Sequence, residues 1–204
     1  MTRFILARHG HVEGIEPARF RGRLELPLTE LGRSQAHSLA EAIHGSYPVS
    51  AVYTSPMGRA VETGQSVASK FNLTTHTHVG LHDIDYGAWQ GLTRAEASTT
   101  WASEVDTWFN APHLARIPSG ESLQAVLARA TDALHDIAQA HPDQTVVLVG
   151  HDSVNRIILM HALALPLSRY WFLRQDPCCI NELIFAEGDF TINRLNETGH
   201  LRKP

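Results

Sequence analysis

Apolar residues alternate between two spacings along this chain, and the alternation predicts strands and helices in turn. Phe4-Ile5-Leu6-Ala7 is a short apolar run ended by Arg8-His9-Gly10, the pattern of a buried strand entering a loop. After Thr29 the spacing becomes helical, with Ala36, Leu39, Ala40 and Ile43 on one face. Val49 to Tyr53 predicts a second strand. Ser55-Pro56 then predicts a helix start, with serine as N-cap, proline at the first helical position, and an apolar face of Ala60, Val61, Gly64, Val67, Ala68 and Phe71.

The stretch from about His76 to Pro118 is less regular. It holds three of the four tryptophans and a capping-box pair, Thr93 with Glu96, and is expected to be a helical lid or side element. From about Glu121 to Ala140, Leu123, Val126, Leu127, Ala130, Leu134, Ile137 and Ala138 form one helical stripe, which Pro142-Asp143 ends. Val146 to Val149 is a fully apolar strand running into Gly150-His151, followed by a helix rich in Ile and Leu. Strands near Ile180 to Phe185 and Phe190 to Leu195 complete the pattern.

Apolar strands alternating with helices predict an α/β fold: a three-layer sandwich with a mainly parallel central sheet flanked by helices, and a small helical lid insertion. Residues 1–204 read as one domain, with about 76–118 as the insertion. In such folds ligands bind beyond the carboxyl ends of the strands. Two of the predicted strands end there in histidine, at His9 and His151.

Composition narrows the choice. Apolar residues are 43% and charged residues 19%, enough for a core, and the net charge of −4 argues against a nucleic-acid partner. The two cysteines are adjacent, Cys178 and Cys179, so no disulfide framework is expected and a reducing, cytoplasmic setting follows. The amino-terminal apolar stretch is too short for a signal peptide, and no run reaches the length of a membrane span. Thirteen histidines raise the question of metal. His76 and His78 alternate as strand ligands would, but no third ligand has suitable spacing. Arg8 and Arg59 would also repel a cation beside His9 and His11.

The strand-end residues suit a compact anion instead. Arg8 and Arg59 supply permanently charged planar forks that match phosphate oxygens. Imidazole is a nucleophile when one ring nitrogen is unprotonated and the other is held by a hydrogen bond, which points to His9; Gly10 is expected to let a substrate approach the backbone. His151 precedes a helix, where backbone N–H groups favour an anion. A carboxylic acid must protonate the leaving oxygen.

In these residues the chain resembles the histidine phosphatase, or phosphoglycerate mutase-like, superfamily. The matching pieces are Arg8-His9-Gly10, Arg19-Phe20-Arg21-Gly22, the run Leu26 to Gly32, Tyr53 to Ala60 with Thr63, and Leu81-His82-Asp83 with Tyr86 to Gly91. Pro118 to Ser122, Val149-Gly150-His151 with Arg156, and Asn196 to Leu201 come next in the same order. The resemblance implies a phosphohistidine on His9, phosphoryl clamps at Arg8, Arg59 and His151, and Asp83 as general acid and base. It also implies a pocket contact for Arg21, and no metal or cofactor.

The chain departs from the family pattern at several positions. Val12 stands where a small hydroxyl residue is usual, and Ile15 where the mutases have asparagine. Asp83 replaces the commoner glutamate, and Asp152 follows the second histidine where glycine is common. Asp152 is expected at the pocket, either repelling acidic substrates or accepting from a hydroxyl. The expected activity is hydrolysis of a small phosphorylated metabolite. Phosphoglycerate mutase-type transfer and a non-catalytic phospho-ligand module are the alternatives. No membrane partner is expected, and a homodimer is left open. Trp89, Trp101 and Trp108 are candidates for a substrate entrance, and His161 is expected to be packed in the core.

Overall fold

The strand after Met1 sits at the centre of the sheet in the computed structural model, which describes residues 1–201. The strands are β1 (Thr2–Arg8), β2 (Val49–Thr54), β3 (Thr75–Thr77), β4 (Thr145–Gly150), β5 (Ile180–Ala186) and β6 (Asp189–Glu197), in the order β3-β2-β4-β1-β5-β6. β1, β2, β3 and β4 run parallel, while β5 and β6 add an antiparallel edge. The helices are α1 (Glu30–His44), α2 (Gly58–Lys70), α3 (Arg94–Ser98), α4 (Ala102–Asn110), α5 (Leu123–Ala140) and α6 (Asp152–Ala162).

The three layers arise from the two-residue period of the strands. On one face Ile5, Ala7, Val147 and Val149 pack with α1 and α2. On the other, Phe4, Leu6, Val146 and Leu148 pack with α5 and α6. Strands covered on both faces must be apolar throughout, which explains the unbroken runs in β1 and β4. Each fully buried Ile or Leu there contributes about 1.5–3 kcal/mol.

Some local expectations are corrected. The second helix starts at Gly58 with Met57 as its cap residue; Ser55 Oγ instead accepts from the Met57 amide (3.3 Å), closing a turn ahead of the helix. Its buried face includes Arg59 and Thr63, whereas Val61 and Phe71 are only partly covered. The short strand β3 has no apolar run to announce it, because it is an edge strand pairing only with β2. His161 is exposed, at the last turn of α6, with its ring edge against Phe190. Thr93 and Glu96 do form a capping box at α3.

The register of β1 on β4 places the two strand-end histidines. Arg8 lies opposite Gly150, so His9 and His151 leave adjacent strands side by side. The His9 amide donates to the Gly150 carbonyl (3.1 Å), extending the ladder by one bond.

Among the described residues no helix is long and apolar enough to cross a membrane.

Candidate active site

His9 and His151 are both buried, with ring centroids 5.1 Å apart. Nδ1 of His9 lies 2.7 Å from the carbonyl oxygen of its neighbour Gly10. A carbonyl can only accept, so Nδ1 carries the proton and Nε2 keeps its lone pair. Burial, followed by the charges of His151, Arg8 and Arg59, holds the His9 pKa well below that of ordinary histidine, against the opposing pull of the Gly10 carbonyl. His151 is depressed in the same way, by burial first and then by Arg59, His82, Arg8 and Arg129. The pair is therefore neutral at neutral pH.

Gly10 has a reason other than the one expected. A Cβ there would collide with the Gly32 carbonyl, and a Cβ on Gly32 would collide with the His11 carbonyl. The first turn of α1, capped by Thr29 Oγ1 on the Gly32 amide (3.1 Å), thus presses directly on the His9 loop. Thr63 of α2 completes the anchorage by accepting from the Gly10 amide (3.1 Å) and donating to the Arg59 carbonyl (2.7 Å).

Two guanidinium groups flank the histidines. Arg59 is wholly buried and donates to the carbonyls of Leu24 (2.7 Å) and Gly22 (2.7 Å) and to Asp83 Oδ2 (3.2 Å). Arg8 donates Nη1 to the Gln175 carbonyl (2.6 Å), fixing its fork against the chain before β5. Arg8 Nε, Arg59 Nε and both ring nitrogens of His151 are buried and have no hydrogen-bond partner. Such a concentration of unpartnered buried polar atoms in one place is rare in a folded protein, because each costs about 1–3 kcal/mol. An oxyanion would satisfy the two guanidinium N–H groups and the single N–H that a neutral His151 carries.

Asp83 is buried at the same spot. Its Oδ1 accepts from the Ile84 amide (2.9 Å) and from Ser153 Oγ; its Oδ2 faces Arg59 and lies 3.6 Å from His151 Nδ1. Asp83 and Ser153 also line a cleft of about 190 Å³, together with Arg21, Asp152, Tyr86 and Trp108. Arg21 is half-buried and donates to the Gly14 carbonyl (2.6 Å). Asp152 is paired with Arg156 one helical turn on (3.0 Å), so the carboxylate that looked repulsive in the sequence has its own counter-ion.

The structure thus brings His9, Arg8, Arg59, His151 and Asp83 together, with Arg21 and Asp152 on the cleft wall. Of the three tryptophans expected at an entrance, Trp108 lines the cleft, Trp89 is sealed in the core, and Trp101 is half-buried against the core away from the cleft. Trp171 lines it as well, unforeseen. Ser153 and Gln175 were also missed. Ser153 had a signal, since it stands two residues after His151 in the first turn of α6; Gln175 had none. His11 Nδ1 is bonded to Thr29 Oγ1 (2.9 Å), and Glu13 is exposed. Among the described residues no three His, Cys, Asp or Glu side chains are grouped as a metal site requires.

Comparison with known proteins gives concordant results. The family model described as histidine phosphatase superfamily (branch 1) matches residues 4–198. Phosphoserine phosphatase 1 of Hydrogenobacter thermophilus is 30% identical over 98% of this chain and 95% of its own length. Glucosyl-3-phosphoglycerate phosphatase of Mycobacterium tuberculosis is 30% identical over 82% of this chain and 78% of its own. Among solved structures, Bacillus stearothermophilus YhfR superposes with a TM-score of 0.93 at 28% identity, covering 99% of this chain and 100% of that one.

Proposed function

Because this chain belongs to branch 1 of the histidine phosphatase superfamily and is a phosphoric monoester hydrolase, we propose that it hydrolyses a small phosphorylated metabolite through a phosphohistidine on His9. The observation that carries this reading is the set of unpartnered buried donors on Arg8, Arg59 and His151 around a neutral His9 whose Nε2 is unprotonated. The reading takes the chain as one domain, with residues 76–118 supplying part of the cleft wall.

In the first step Nε2 of His9 attacks phosphorus. The N–P bond forms as the bond from phosphorus to the leaving oxygen breaks, and that oxygen keeps the electron pair and takes a proton from Asp83. In the second step Asp83 accepts a proton from water, which attacks phosphorus; the P–N bond breaks and its electrons return to Nε2, releasing inorganic phosphate. Charge on the transferring group is met by the two guanidinium groups, the part that Mg²⁺ plays in other phosphoryl-transfer enzymes, and the neutral His151 ring adds one N–H donor. Activity is accordingly expected to survive EDTA.

Hydrolysis is favoured over mutase-type retention of the substrate by a cleft that reaches the surface, where Arg19 and Arg94 are exposed. The deciding experiment compares the wild type with His9→Ala on p-nitrophenyl phosphate and on 3-phosphoglycerate. Phosphate release and acid-labile phosphoprotein should both require His9. Isomerisation without release would favour a mutase, and turnover surviving in His9→Ala would reject the nucleophile.

A further inference from the structure

Asp83 is gripped from behind as well as in front. Its backbone carbonyl accepts from two arginines, Arg129 Nη2 (3.2 Å) and Arg23 Nε (3.3 Å). Arg129, on α5, also donates Nη1 to the carbonyls of Gly80 (2.9 Å) and His82 (2.7 Å). One guanidinium therefore fixes three carbonyls within the four residues that end at the proposed acid. Glu121 holds both arginines: its carboxylate takes Nε and Nη2 of Arg129 (both 3.0 Å) and Nη2 of Arg23 (3.1 Å). The Asp85 amide adds a fourth bond to Glu121 (3.0 Å). Burial alone would raise the Glu121 pKa, but Arg129, the Asp85 amide and Arg23 hold it below the usual carboxylate value. Docking of the segment is close, for a Cβ on Gly80 would lie 2.6 Å from both Ala133 Cβ and the Arg129 carbonyl of α5.

This arrangement bears on the short acid. An aspartate has only two side-chain torsions, so any displacement of its backbone passes almost undiminished to the carboxyl. We propose that Arg129, clamped by Glu121 and aided by Arg23, is a positioning residue that sets where Asp83 delivers its proton to the leaving oxygen. None of the three acts on phosphorus. The proposal rests on the phosphatase reading and is tested in the first step, where Asp83 acts as the acid. A misplacement of about 1 Å in a reacting group costs roughly 10²-fold in rate, and general-acid assistance is worth about 10²–10⁴-fold.

The leaving group separates this role from simple structural support. p-Nitrophenolate departs without a proton, whereas an alkoxide such as that of ethyl phosphate must be protonated as it leaves. The test measures kcat/KM for both esters in the wild type, Arg129→Gln, Arg129→Lys and Glu121→Gln, beside thermal unfolding of each. In Arg129→Gln the value for ethyl phosphate should fall about 10²-fold while that for p-nitrophenyl phosphate changes less than about threefold, with partial recovery in Arg129→Lys. A parallel loss on both esters, or no loss on ethyl phosphate, overturns the clamp. If Arg129→Gln does not fold, Glu121→Gln carries the same comparison. Wild-type protein that releases phosphate from neither ester, or a His9→Ala variant that still releases it, would reject the phosphatase reading instead, so the two failures are distinct.

Discussion

Ser153 and Asp83, 70 residues apart in the chain, are joined by a hydrogen bond from the serine hydroxyl to Oδ1, and both are buried. The first turn of α6 thus fixes the rotation of the Asp83 carboxyl. Ser153→Ala leaves Oδ1 with the Ile84 amide alone. General-acid assistance is worth about 10²–10⁴-fold and depends on the placement of the acid, so kcat/KM on an alkyl phosphate should drop about 10- to 100-fold. Unchanged steady-state kinetics in Ser153→Ala would mean that the hydroxyl does not orient the acid.

The neutral histidines give stability a particular pH dependence. Burial is the leading cause that lowers both His9 and His151, with the neighbouring positive charges next. In the unfolded chain each returns to about 6.5. Below that pH the unfolded state binds more protons than the fold, so stability rises with pH there. The contribution is fully present above about pH 6.5 and is lost as pH falls toward the lowered folded values, at up to about 1.4 kcal/mol per pH unit for each ring. Urea unfolding of the wild type between pH 7 and 5 should show this loss, and His151→Asn should have the shallower slope. Equal slopes would assign the acid sensitivity to other groups.

The close approach of Gly10 and Gly32 makes a third expectation. Gly10→Ala would drive a methyl group into the Gly32 carbonyl, which belongs to backbone and cannot rotate away. Overpacking of this kind costs about 1–3 kcal/mol, and here the strain falls on the residue next to His9. The variant should unfold at lower denaturant concentration and lose turnover even where it remains folded. A protein as stable and active as the wild type would show that α1 can retreat.

The sequence pattern made some of this visible and hid the rest for physical reasons. Strands buried on both faces leave uninterrupted apolar runs, so β1 and β4, and with them the placing of His9 and His151 at strand ends, were open to reading. The face of α2 was harder. Arg59 was legible as a phosphate clamp but not as a buried residue, and apolar spacing put Val61 and Phe71 on the face where Arg59 and Thr63 are buried. His161 matched an apolar spacing, yet the final turn of α6 emerges from the layer. The groups that hold Asp83 left no local trace, because Ser153, Arg129 and Arg23 reach it across 70, 46 and 60 residues. Local spacing reports helices and strands; it is blind to which distant side chain completes a hydrogen bond.

The pairing of Arg8 opposite Gly150 separates reactivity from selectivity within the molecule. Arg8, His9 and His151, three of the groups proposed to meet the phosphoryl group, are rooted at the ends of the two central strands and cannot shift without disturbing the sheet. The residues that would meet the rest of a substrate stand elsewhere, at Arg21, Tyr86, Trp108 and Trp171, on chain segments outside the strands. Changes in those segments can redirect the enzyme to another ester and leave the phosphoryl machinery as it is. A scaffold divided in this way can diversify its repertoire by rewriting its rim.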